Sequence, residues 1–273
     1  MKYANMGVFA VSEYIKWENI IDKIERIEKG DVIYLVSDVT KLALKALQNK
    51  DVYDGNILLD KLIERVGPEG TILVPTFNWD FCSGKGFDYN KSPSQTGALG
   101  NVARKRKDFK RTKHPIYSFA VWGKGQEELC AMENKDAWGE GTPFSYMQHK
   151  AGKGLILGLE NTRGLTSKLH NEQVFGVPYR YVKDFTAPYT DENGATEERT
   201  YSMNVRDYDM DPQYVEPQTV FSEVLRALNV LKTQEINGEP VSTVLLHELA
   251  QVEEVEIKCN KCRNMYTYKG QDE

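Results

Sequence analysis

The sequence predicts an α/β fold: a central, mostly parallel sheet flanked by helices, with a small β excursion and helices toward the C-terminus. Three observations carry that expectation. The first hundred residues alternate short apolar runs with amphipathic stretches, the pattern of strand–helix–strand units. The runs "DVIYLVSD" and "EGTILVPTF" are apolar almost throughout, as strands covered on both faces are. A long irregular segment, residues 78–97, then follows the second run, where open α/β sheets carry their ligand-binding loops.

Each element has its own signal. Tyr14, Ile15, Ile20, Ile21, Ile24 and Ile27 lie near helical spacing and end at Lys-Gly, which predicts a helix over 12–29. "DVIYLVSD" reads as a strand, "TKLALKALQN" and "NILLDKLIERVG" as helices, and "EGTILVPTF" as a strand closed by Pro75. "ALGNVARKRKD" resumes as helix, while "SFAVWG" and "GLILGL" read as further strands. Around a "DENG" turn, "DFTAPYT" and "TYSMNVR" form a two-stranded excursion at about 182–216. Residues 217–234 suggest a helix, and "INGEPVSTVLLHELAQVEEV" a turn, a strand and a last helix. The chain therefore reads as a single domain over 1–273.

Composition narrows the function. With 40% hydrophobic and 27% charged residues the chain is ordinary for a globular protein with a sizeable core. A net charge of −5 is a poor match for nucleic acid. No run approaches the roughly 18 apolar residues of a membrane span, and the N-terminus has no export signal, so a cytoplasmic location is expected. Of four cysteines, Cys259 and Cys262 form a CxxC without a second ligand pair, better read as plain thiols than as a zinc site; no metal is expected. Oligomeric state, including a homo-oligomer, stays open.

Several stretches could carry chemistry. The basic run "RKRKDFKRTKH" (104–114) reads as a solvated face, as a holder of small-ligand phosphates, or as a nucleic-acid contact, in that order. "AVWGKG" reads as a turn after a strand. His114, beside Pro115, reads as structural. His170 lies beyond the strand "GKGLILGL", with Glu172 and Asp136 as acids that could fix its tautomer.

Five motifs then occur in order: "ILVPTF", "SPSQTGALGNVAR", "KHPIYSFAVWG", "WGEGTPF", and Asn161 to His170 followed by "VPYR". Together they resemble the aminoglycoside 3-N-acetyltransferase family, which includes antibiotic-resistance enzymes and relatives that acylate amino sugars on nucleotide carriers. The resemblance implies acetyl-coenzyme A, or another short acyl-coenzyme A, as donor and an amine as acceptor. It maps the family's base onto His170. Where the family often reads His-x-x-Glu, this chain has "HNEQ", with Glu172 one place early. Ser37 falls in the family's donor loop; with Thr40, Thr96, Gly97, Arg104 and Ser118 it is expected to position coenzyme A. Asp88 and Ser83 are candidates to orient the sugar amine, and Asn78, Trp79, Asp80, Tyr179 and Arg180 to line the acceptor site.

The loop 78–97 has two acids, Asp80 and Asp88, balanced by Lys85 and Lys91. A polycationic aminoglycoside would want more negative charge. The expected acceptor is therefore a dTDP- or UDP-linked deoxyamino sugar destined for a surface polysaccharide, ahead of an aminoglycoside. A non-catalytic binding module is a third reading, and the retained His170 argues against it. Cys82 could form an acyl-enzyme, but no histidine adjoins it in sequence, so direct transfer is expected.

Overall fold

The computed structural model describes residues 13–214 and 219–272. The first twelve residues, part of the stretch in which an export signal was sought, lie outside these, as do residues 215–218, where the excursion and the helix expected after it meet.

Among the described residues, twelve strands and eight α-helices follow one another. The first half comprises β1 (Val32–Ser37), α1 (Thr40–Gln48), α2 (Gly55–Val66), β2 (Thr71–Pro75), β3 (Phe87–Asp88), α3 (Ala98–Ala103), β4 (Lys110–Arg111), β5 (Phe119–Gly123) and α4 (Gln126–Ala131). Then come α5 (Pro143–His149), β6 (Lys153–Leu157), α6 (Ser167–Phe175), β7 (Arg180–Thr190), β8 (Thr196–Arg206) and β9 (Gln213–Tyr214). The chain closes with α7 (Thr219–Ala227), β10 (Leu231–Ile236), β11 (Glu239–Leu245), α8 (Leu246–Asn260) and β12 (Tyr266–Thr267).

Seven strands form the main sheet in the order β10-β11-β6-β1-β2-β5-β4. Its centre, β6-β1-β2, is parallel, and the strands on both flanks run antiparallel to their neighbours. The sheet is thus mixed, with its parallel character confined to the middle. The strand period of two sends alternate side chains into two cores. Ile33, Leu35, Ile72, Val74, Leu155 and Leu157 meet α1, α2 and the N-terminal segment; Tyr34, Val36, Leu73 and Ile156 meet Phe119, Phe144, Met147 and Leu246. This explains why the central strands read as continuous apolar runs. Among the described residues no helix is long and apolar enough to cross a membrane.

Two expectations are corrected. The expected helix over 12–29 is a pair of short 3₁₀ turns, Trp17–Asn19 and Ile21–Lys23. Trp17, Ile20, Ile21, Ile24 and Ile27 are all buried. Their spacing of three suits tight turns as well as a helix, and β-branched isoleucines weaken the helical alternative. Asp51 accepts the Trp17 backbone N–H at 2.7 Å, fixing the entry. The helix suggested over 217–234 stops at Ala227, and Leu231–Ile236 forms a strand instead. That strand pairs with β11 through the Asn237-Gly238 turn, whose two positive φ angles match a tight hairpin.

The excursion is a two-stranded hairpin that ends at Arg206. β7 and β8 are eleven residues each, and β7 also pairs with β3 from the loop 78–97. Arg111 binds that loop to the sheet. Its guanidinium donates to the carbonyls of Ser92 (2.7 Å), Thr76 (2.8 Å) and Tyr89 (3.2 Å) and to Ser118 Oγ (3.0 Å), and it lies 4.6 Å from the centre of the Phe87 ring. Burial pushes this guanidinium down to about 10. The basic run is therefore not one solvated face. Arg106 pairs with Asp60 and Asp108, Lys113 pairs with Glu133, and Arg111 is interior.

Candidate functional site

The C-terminal ends of β1, β2 and β6 open into a cavity of about 370 Å³. It is lined by Ser37, Asp38 and Thr40 after β1, Pro75 and Phe77 after β2, Thr96 and Gly97 before α3, and Leu159, Gly164 and Thr166 after β6. Strand ends of a parallel sheet gather loops on one edge, which is why ligands bind there. Four of the expected donor-site residues (Ser37, Thr40, Thr96 and Gly97) meet at this cavity. A Cβ placed on Gly97 would lie 3.0 Å from the Ser37 carbonyl oxygen, and its φ of +85° favours glycine, so the two loops close on each other only here. Thr96 Oγ1 donates to the Pro75 carbonyl at 3.1 Å.

Arg104 and Ser118 do not reach the cavity. Arg104 donates to Asn101 Oδ1 at 3.0 Å and to the Asn90 carbonyl at 3.4 Å, bracing the loop. Ser118 is buried between Thr76 and Arg111. Both are corrected to supporting positions, because α3 is a short helix that ends before Arg104 and Ser118, just before β5, is held inward by Thr76 and Arg111.

Thr166 borders the cavity at the start of α6, and His170 follows one helical turn later on the same face. His170 is buried. Its Nδ1 meets the Trp138 carbonyl, which can only accept, so Nδ1 carries the proton and Nε2 is the basic nitrogen. Nε2 lies 2.9 Å from Gln148 Oε1 on α5. Burial holds the imidazole below its ordinary range, with the Trp138 carbonyl opposing, so the neutral form is favoured at neutral pH. "GTPF" builds α5: Thr142 and Ser145 form a capping box, with Pro143 at the first helical position.

The acids around His170 have other tasks. Glu172 is fully buried and pairs with Arg180, with the Tyr179 hydroxyl donating to it at 3.4 Å. It points away from the imidazole, because two residues on a helix diverge by about 200°. Gln173, which takes the place of the acid in His-x-x-Glu, donates to Asp136. Asp136 also accepts the Trp138 backbone N–H at 3.1 Å. The orienting contact on His170 is thus a carbonyl, and Asp136 holds the backbone N–H of the residue that carries it.

The expected acceptor residues divide. Tyr179 is buried against Tyr266 and Tyr268 and is corrected to a core position. Arg180 lines an open depression of about 550 Å³ with Arg163, Gly164, Lys168, Leu169, Arg206 and Tyr266. Four of these are cations, no carboxylate is among the described lining residues, and Gly164 is shared with the cavity at the strand ends.

In the loop 78–97, Asn78 is buried and donates to the Pro93 carbonyl at 3.0 Å. Trp79 is exposed, with its ring N–H 3.3 Å from the Tyr117 hydroxyl. Asp80 pairs with Lys85 at 3.5 Å, and Ser83 donates to the Asp80 carbonyl at 2.9 Å. Asp88 pairs with Lys91 at 3.2 Å and accepts the backbone N–H groups of Asn90 and Lys91 at 2.9 Å. Partial burial would raise Asp88, but these Lys91 and Asn90 contacts hold it below the usual carboxylate range. Asp88 and Ser83 are thereby committed to the loop's own turns. Burial pushes the Cys82 thiol up to about 11, leaving little thiolate to act as a nucleophile. His114, pushed down to about 3 by burial, accepts the Tyr117 backbone N–H at 3.1 Å and is structural.

The sequence reading missed Gln148, Asn171 and Glu253. Asn171 donates to Glu253 at 2.6 Å, and Gln148 donates to Asn171 at 3.3 Å. One signal was legible: Glu253 falls on the buried stripe Leu246, Leu249, Ala250, Ile257 of α8, where a carboxyl needs a partner.

A family model described as Aminoglycoside 3-N-acetyltransferase matches residues 43–255. Several solved structures share the fold. "Crystal structure of aminoglycoside acetyltransferase AAC(3)-Xa" aligns with a TM-score of 0.70 and 20% identity, covering 85% of this chain and 88% of that one. "AAC-IIIb binary with CoASH" aligns with a TM-score of 0.72 and 18% identity, covering 91% and 98%. The sisomicin-bound AAC-VIa structure gives 0.73 and 20%, covering 91% and 99%.

Proposed function

Because the chain belongs to the aminoglycoside 3-N-acetyltransferase family, and so is an N-acyltransferase, we propose that it moves a short acyl group from acyl-coenzyme A to the amine of a nucleotide-linked deoxyamino sugar. The observation that carries the acceptor class is the depression beside the cavity, lined by Arg163, Lys168 and Arg206 together with Arg180, whose charge is already met by Glu172. A nucleotide diphosphate finds cations there, whereas a polycationic amine would be repelled. The loop 78–97 agrees, since Asp80 and Asp88 each already hold a lysine of that loop.

Donor and acceptor have separate places in this reading. The thioester arm lies in the cavity, held by Ser37, Thr40, Thr96 and Gly97, and a coenzyme A complex is known for the structural neighbour AAC-IIIb. The amine nitrogen attacks the thioester carbonyl carbon, a C–N bond forms, and the tetrahedral oxyanion collapses with loss of the coenzyme A thiolate. The nitrogen must shed a proton along the way. His170 Nε2 takes it, directly or through a water, once the Gln148 amide yields its place; the thiolate is the final proton acceptor. Holding both substrates at one sheet edge supplies much of the rate.

An aminoglycoside acceptor is the second reading, favoured by the sisomicin-bound neighbour. Thiol release from acetyl-coenzyme A separates the two. Turnover with dTDP- or UDP-amino sugars and none with aminoglycosides is expected. Turnover with aminoglycosides alone would reverse the assignment, and ligand binding without turnover of any amine would leave a binding module.

A further inference from the structure

Four side chains run in single file across α5, α6 and α8. His170 Nε2 is 2.9 Å from Gln148 Oε1, Gln148 Nε2 is 3.3 Å from Asn171 Oδ1, and Asn171 Nδ2 is 2.6 Å from Glu253 Oε2. His170, Asn171 and Glu253 are buried and Gln148 is half-buried. Trp138 fixes the far ring nitrogen as N–H.

The two amides impose a rule on the ends. Each donates on one side and accepts on the other, so all contacts are satisfied only when one end donates and the other accepts. With Glu253 ionised, the chain runs toward it and requires a proton on His170 Nε2. With His170 neutral, both amides turn over and Glu253 must donate as a carboxylic acid. An amide's two ends are isosteric, so both directions fit the same space. Two protons or none leave like groups facing each other somewhere along the file, an unsatisfied buried contact.

We propose that Glu253 is a positioning residue that shares a single proton with His170 through the side-chain amides of Gln148 and Asn171. Moving the proton from one end to the other reverses the file and keeps the count at one; only taking up a second proton or losing the last titrates the pair, and either step leaves a mismatched contact that is felt at both ends. The amides stand in the direction of an ionised Glu253, with Asn171 donating to it; burial pushes Glu253 up to about 7, opposed by the Asn171 contact, and holds His170 down, which favours the reverse direction, with the proton on the carboxyl and a basic imidazole. Other charged groups flank both ends. Lys168 and Glu172 face Glu253 from α6, and Glu253 in turn acts on Cys262 beyond α8; Glu140, His149 and Asp136 act on His170. None of them stands between the two ends of the file.

The shared proton does not depend on His170 being the base; only its kinetic consequence does. With four histidines in the chain, ¹⁵N imidazole and ¹³C carboxyl spectra can be followed against pH in the full-length protein. The expected result is an inflection common to His170 and Glu253. Asn171→Leu, which cuts the file and keeps both ends, should abolish that common inflection, and Glu253→Gln should remove it from the imidazole. An imidazole in the unmutated protein that titrates without any inflection in common with the carboxyl overturns the proposal, and needs no variant to be seen. So does a common inflection that survives Asn171→Leu. The pH profile of kcat in Glu253→Gln then tests the base separately. A shifted profile ties the shared proton to catalysis, whereas an unmoved profile with the common inflection present upholds the pair and removes His170 from the chemistry.

Discussion

Two residues apart on α6, His170 and Glu172 face different neighbours: a carbonyl and an amide for the one, a guanidinium for the other. Their substitutions should therefore fail in different ways. His170→Asn is expected to lower kcat by roughly 10²-fold or more while leaving the melting temperature near that of the parent. Glu172→Gln removes one partner of a pair whose arginine side chain is only 6% exposed. It should cost about 3–5 kcal/mol of stability, read by denaturant unfolding. Equal losses of stability in both variants would count against the division of labour. The histidine was legible in the sequence through its place in an ordered series of motifs. Its partners were not, because Asn171 and Glu253 meet across 82 positions, and Trp138 contributes a peptide oxygen that every residue type possesses.

At the scale of elements, the strands at the sheet centre were readable because burial on both faces leaves unbroken apolar runs such as "IYLV" and "ILVP". The N-terminal segment was not, since isoleucines three apart serve a 3₁₀ turn and a helix alike. The strand "LKTQEI" hid for another reason. It has one neighbour, and its inner positions are polar and half-exposed or exposed, so no apolar alternation announced it. Its pairing depends on the turn. Gly238 has a φ of +80° and open space around a would-be Cβ, so Gly238→Ala strains the backbone without a clash. A loss of about 1 kcal/mol in unfolding free energy is expected, read by denaturant unfolding. A gain in stability would mean that the turn adopts another form.

Over the whole molecule, charge is distributed against its own average. The net charge is −5, yet the depression beside the cavity gathers Arg163, Lys168, Arg180 and Arg206. An anionic acceptor entering it is drawn by a local field, and salt screens such a field over about 8–10 Å at ordinary ionic strength. KM for a nucleotide-linked amino sugar should accordingly rise severalfold between low salt and about 0.5 M salt, whereas KM for a small uncharged amine should hardly move. A salt-independent KM for the nucleotide sugar would place its phosphates elsewhere. The cavity itself could be anticipated from its strand ends and glycine; the depression could not, since its cations come from α6, from the loop before it and from β7 and β8, far apart in sequence and gathered only by the fold.

Arg111 has a further consequence for how the site meets its substrates. One interior guanidinium ties Tyr89, Ser92, Thr76 and Ser118 together, and the β7–β8 hairpin lies along the same loop. A segment this long usually keeps much of its configurational freedom until a ligand arrests it. Here that entropy is surrendered as the protein folds, so the encounter begins with a finished rim. In the proposed reading little ordering is then left to subtract from affinity, and acceptors would be sorted by fit to a fixed shape instead of by how well they persuade a lid to shut.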